Sequence, residues 1–90
     1  MARKSTYISL QDSRAAAILK MVKMLSSLHE LDPIHGSKWR RNMISAWEHK
    51  LVMALLLTEG YETASSELYY SVMENARKMV VEYIAMKEEN

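Results

Sequence analysis

The chain has 90 residues, 49% hydrophobic and 26% charged, with formal net charge +1, two glycines, one proline and no cysteine. One core is all such a length supports, with about 60–65% of the unfolded surface buried, so a lone monomer would be only modestly stable. The apolar content excludes a disordered chain, and the lack of cysteine excludes a disulfide framework, a thiol nucleophile and a Cys-based zinc site.

The longest unbroken apolar run is residues 51–57, far short of the ~20 residues that cross a bilayer. Arg3 and Lys4 make a basic start, but Lys20 and Lys23 interrupt the apolar stretch after it, so no signal peptide is readable. A cytoplasmic protein without membrane contact is expected. The charges are unevenly spread. Residues 1–50 hold nine Lys/Arg against four acids (+5), and residues 51–90 hold three against seven (−4). Such asymmetry predicts a basic surface at one end, or head-to-tail contact between copies.

In chain order, residues 1–9 read as a short N-terminal arm, frayed or extended. Ser9 with Asp12 resembles a capping box, so a first helix is predicted over 10–31. Its core face holds Ala15, Ile18, Met21, Val22, Leu25 and Leu28, with Lys20, Lys23, Ser27 and Glu30 opposite. Asp32-Pro33 and Gly36-Ser37 mark a loop, because proline disfavours helix before it and glycine frees the backbone.

A second helix is predicted over 37–59, ending where Gly60 takes the left-handed position. Met43, Ile44, Trp47, Leu51, Ala54 and Leu55 form its core face. Its back face starts polar (Lys38, Arg41, Asn42, Ser45, His49) and turns apolar at Val52, Met53 and Leu56. Two neighbours in a three-helix bundle leave such a back face uncovered, so either the N-terminal arm or another copy of the chain must cover it; with so small a chain, self-association through these three residues is the expectation. Tyr70, Met79 and Met86, at the margins of the third helix, are expected to join that interface.

Thr63 is expected to cap a third helix over 63–88. Tyr69, Val72, Met73, Ala76, Val80, Tyr83 and Ile84 share its inner face, and Glu67, Ser71, Glu74, Lys78 and Glu82 oppose them. The fold class is therefore all-α, a self-associating three-helix bundle in a single domain.

Lys38, Trp39, Arg40 and Arg41 crowd the first turn of the second helix. The helix macrodipole makes cations unfavourable there, whereas an anion would be welcome. With Asn42 and His49 on the same side, this cluster is the candidate site for a phosphate-bearing ligand, a nucleic acid or nucleotide. Arg supplies bidentate phosphate contact and Trp39 a stacking plane. Arg40 projects near the core face, so Lys38 and Arg41 are expected to matter more.

No other chemistry is assigned. His29, His35 and His49 lack metal-ligand spacing on one helix, and Asp32 between the first two does not supply it, so no metal site or cofactor is expected. No serine sits in a Gly-x-Ser-x-Gly turn, two glycines cannot build a phosphate loop, and the Glu88/Glu89 and Glu59/Glu62 pairs fall at a terminus or loop. No catalytic residue is expected.

Residues 66–74 (Ser-Glu-Leu-Tyr-Tyr-Ser-Val-Met-Glu) resemble the second helix of Arc-type ribbon–helix–helix repressors, which bind DNA through a two-stranded ribbon. The strand that family needs would fall near residues 39–44, where Arg40, Arg41 and Asn42 stand consecutively without alternation. The chain is not read as a member. The expectation is instead a non-enzymatic, oligomeric binding protein in a regulatory or phage-type accessory role. Its alternative is a helical adaptor or inhibitor gripping an acidic protein partner through apolar and Met-rich surfaces.

Overall fold

A computed structural model describes residues 2–31 and 37–89, with side chains for 13–31 and 38–89. Three helices make up the fold: α1 (Ala2–Glu30), α2 (Ser37–Thr58) and α3 (Ser66–Glu89). Each packs against the other two, and no strand occurs among the described residues. The all-α reading is correct at this level. Asp32, Pro33, His35 and Gly36, which carry the predicted loop, lie outside the described residues.

α1 and α2 run antiparallel. At one end Arg40 reaches Leu28 and His29; at the other, Arg14, Ala17 and Ile18 meet Ala54, Leu57 and Thr58. α3 lies against both. Tyr69 sits on His49, Arg77 on Glu48, and Lys87 on Glu30 of α1. The core joins Val22 and Leu25 of α1 with Leu51, Val52 and Leu56 of α2 and Val72, Ala76 and Val80 of α3. Burying each of the larger side chains contributes roughly 1.5–3 kcal/mol.

Three expectations need correction. Residues 2–9 are not an arm: α1 is helical from Ala2. No proline or glycine interrupts residues 2–31, and Ser9 and Asp12 each cost the helix only a fraction of a kcal/mol, so neither stops it.

α3 begins three residues later than predicted, because Ser65 rather than Thr63 is the cap. The Leu68 N–H donates to the Ser65 hydroxyl at 3.2 Å, and the Tyr69 N–H to the Ser65 carbonyl at 2.9 Å. The end of α2 is as expected. Gly60 has φ +90°, the Tyr61 N–H donates to the Leu56 carbonyl, and the Gly60 N–H to that of Leu57. That pair of bonds is a Schellman cap, which needs the left-handed residue glycine allows.

The third correction concerns the back face of α2. Val52 and Leu56 are not exposed; both are core residues, and Met53 is half-buried against them. α1 and α3 approach α2 from different directions. α1 covers the side of Arg40, and α3 covers the side of Glu48 and His49, which continues to Val52 and Leu56. The apolar back face is the second half of one broad core face.

Candidate ligand-binding site

The start of α2 is built on the end of α1. Arg40 Nε donates to the Leu28 carbonyl at 2.9 Å, and its Nη2 to the His29 carbonyl at 3.2 Å. These carbonyls belong to the last turn of α1, the negative end of its macrodipole, where a cation is favoured. Arg40, unfavourable at the start of its own helix, thus caps the preceding one. Part of the basic cluster is structural.

Lys38, Trp39, Arg41 and Asn42 remain exposed. Trp39 is 55% accessible, and it shares with the exposed Lys38 and Arg41 a helix start that Arg40 fixes in place, Lys38 standing beside the indole and Arg41 beyond it around the axis. His49 is drawn elsewhere. Its Nδ1 shares a 2.8 Å hydrogen bond with the Tyr69 hydroxyl, the rings 5.8 Å apart. It helps to seat α3 on α2 and lies three turns from Lys38 along the helix. The second indole, Trp47, is half-buried against the core, with the Lys50 ammonium 4.4 Å from its ring centroid.

Of the predicted interface residues, Val52 and Leu56 are interior, and Met53 and Met79 are half-buried against the core. Tyr70 and Met86 lie at the surface. Tyr70 stacks edge-on against Tyr69 at 5.4 Å. Among the described residues no three His, Asp or Glu side chains come together as a metal site.

The structure also reveals residues that sequence reasoning passed over. Glu48 is buried, and Arg77 holds both its oxygens, Nε to Oε2 at 3.0 Å and Nη2 to Oε1 at 3.2 Å. The Glu48 hydrogen bond and charge raise the Arg77 pKa above its ordinary value. A signal existed: Glu48 falls four residues after Ile44 and three before Leu51, in the middle of the apolar arc. A lone acid there calls for a cation on the facing helix.

Beside this ion pair a groove of about 480 Å³ opens where the three helices meet, lined by Leu25, Ile44, Ala76, Val80, Val81 and Ile84. A second, also about 480 Å³, runs between α1 and α3 past Leu19, Val22, Met79 and Tyr83. Both are apolar, and both are large enough to take an apolar side chain or small ligand. No helix among the described residues is long and apolar enough to cross a membrane.

Comparison with known protein families, with curated proteins and with solved structures finds no match.

Proposed function

We propose that this chain is a non-enzymatic, self-associating binding protein whose α2 start engages a phosphate-bearing ligand, a nucleic acid or nucleotide, in a regulatory or phage-type accessory role. The observation that carries this reading is Trp39, 55% accessible, on the same helix start as the exposed cations Lys38 and Arg41. Tryptophan so exposed leaves a large apolar face in water, which stacking on a base would cover. The two cations, both to one side of the indole, suit phosphates beside the stacked base. Arg40 contributes by fixing the platform and His49 by seating α3, so neither touches the ligand.

Fluorescence titration tests it. Replacing Trp47 with Phe leaves Trp39 as the sole indole, and mixed single-stranded oligonucleotides and common nucleotides should then quench it. Affinity for single strands should fall with salt at a slope of about −1.4 per site if Lys38 and Arg41 each neutralise one phosphate. Lys38→Ala with Arg41→Ala should abolish that slope without unfolding the chain, since both side chains are exposed. No quenching at physiological salt would sink the reading.

A second reading, a helical adaptor or inhibitor for a protein partner, is favoured by the groove beside the Glu48–Arg77 pair. Val81, 65% accessible, stands on its wall. Apolar surface of this kind marks protein contact more often than nucleic-acid contact. On this reading Lys38 and Arg41 match an acidic rim on the partner.

A further inference from the structure

α1 outruns the body of the bundle. Arg14, Ala17 and Ile18 lie against the last turn of α2, yet the α1 backbone is helical back to Ala2. Residues 2–13 therefore extend about 18 Å beyond that turn at 1.5 Å per residue. The radius of gyration, 15.1 Å, exceeds the ~12 Å of a globule of this length accordingly. Most helical stability in a protein comes from packing rather than from propensity, and in this unpacked extension of α1 Ser5, Thr6, Ile8 and Ser9 are not strong helix formers. The extension needs a surface to pack on.

The α1–α3 groove begins where the extension ends. Its α1 wall is Ala15, Ile18, Leu19 and Val22, and Leu19 is 46% accessible. The same face continues down the extension in heptad register. Val22 and Leu25 are buried; Ala15 and Ile18 stand seven residues before them, and Ile8 and Gln11 seven before those. If two α1 helices pair antiparallel about Ala15, Ile8 of one copy comes level with Val22 of the other, and Gln11 with Leu19. The exposed Ala15, Ala16 and Ala17 then meet at the two-fold axis, where small side chains let the backbones approach.

Charge agrees with this register. Arg3 and Lys4 come level with Ser27 and Ser26 of the other copy, towards the end of α3 where Lys87 pairs with Glu30 and Glu88 and Glu89 follow. Glu82 lies on the groove wall between. The basic first half of the sequence thus meets the acidic second half.

We propose that the α1–α3 groove is filled by residues 2–13 of a second copy, in a two-fold antiparallel dimer. This rests on the self-association proposed for the binding protein and moves its surface from the back face of α2 to α1. Because the interface is isologous, each copy fills the other's groove.

The chain has no cysteine, so single-cysteine variants report the geometry directly. Sedimentation equilibrium of the full chain at tens of micromolar should give twice the 10.4 kDa chain mass. Ala15→Cys should oxidise to a covalent dimer, because symmetry places its copies side by side, whereas Lys78→Cys on the outer face of α3 should not. Leu19→Glu should weaken the dimer roughly a hundredfold by placing a charge on the apolar wall of the groove beside Ile18 and Val22, while keeping its helical circular dichroism because Leu19 is accessible in the single chain. A wild-type chain that sediments as a monomer overturns both the groove assignment and self-association. A dimer that survives Leu19→Glu, or that cross-links through Lys78→Cys but not Ala15→Cys, overturns the groove assignment alone.

Discussion

Arg77 of α3 grips Glu48 of α2 with two nitrogens, at 3.0 and 3.2 Å, and does so from a side chain that is itself 60% accessible while its partner is 12% accessible. The cost of breaking the pair therefore falls on Glu48, which would be left buried without its donor. Arg77→Ala should destabilise the fold by about 1–2 kcal/mol, less than a fully interior pair because Arg77 is largely solvated. Replacing both partners by apolar residues of similar size, Glu48→Leu with Arg77→Met, should be close to neutral. Urea midpoints of the two single variants and the double variant would check this. A double variant as unstable as Arg77→Ala would show that the pair contributes more than the burial it permits.

Arg40 gives a second contrast within one turn of helix. Its two bonds to the Leu28 and His29 carbonyls should make Arg40→Ala cost about 1 kcal/mol. That corresponds to a melting temperature about 4–8 °C lower in a domain this small. Arg41→Ala, with an exposed side chain, should stay within about 0.5 kcal/mol of wild type. Equal thermal shifts for the two would mean that Arg40 does not act as the cap.

The contrast shows what the sequence made legible. Periodicity places Val22, Leu25, Leu51, Val72, Ala76 and Val80 inside, and they are inside, because each sits near the middle of an apolar arc. Gly60 is legible for the same kind of reason: one residue type fits one backbone conformation. Direction between helices is not legible. Arg40 looked misplaced at the positive end of α2 because the carbonyls that satisfy it belong to another helix, and a helical wheel shows no neighbours. Val52 and Leu56 looked superfluous because a wheel does not say from how many directions a helix is covered. Of the candidate site, the exposure of Lys38 and Arg41 and the inward lean of Arg40 are legible; the carbonyls that hold Arg40 and the removal of His49 are not.

Leu56 turns that lesson into a measurement. A surface role would let Leu56→Glu dissociate an assembly and leave the chain folded. At 2% accessibility within the core, the same change instead buries a carboxylate among apolar side chains, and even Leu56→Ala should cost about 2–5 kcal/mol. Circular dichroism of Leu56→Glu should show most of the helix lost. A folded, monomeric Leu56→Glu variant would contradict the placement.

Lys87 supplies a pH dependence. Its hydrogen bond with Glu30, 2.8 Å long, raises its pKa above the ordinary lysine value of 10.5. The folded-state pKa exceeds the unfolded one, so the contribution is fully present below pH 10.5 and is lost as pH rises through the higher folded value. Both side chains are largely solvated, so the effect is small. Thermal melts of wild type and Lys87→Met should differ near neutrality and converge in strong alkali. A gap that widens with pH would have the wrong sign.

Ser26 is fully buried, and its hydroxyl has no hydrogen-bond partner among the described residues. It lies four residues before the end of α1, one residue after the buried Leu25 and four after the buried Val22. The hydroxyl gave up its hydrogen bonds to water on folding and gained none in return, a cost of about 1–3 kcal/mol for a buried polar group. Alanine fills the same position without that oxygen and is also the better helix former, by a few tenths of a kcal/mol. The oxygen removed is small enough that the space left behind takes back only part of the gain. Ser26→Ala should therefore stabilise the chain by about 1 kcal/mol, whereas Ser26→Val, which adds volume at a closed site, should destabilise it by about 1–3 kcal/mol. Denaturant midpoints at constant slope would measure both. Loss of stability in Ser26→Ala would mean that the hydroxyl is satisfied after all.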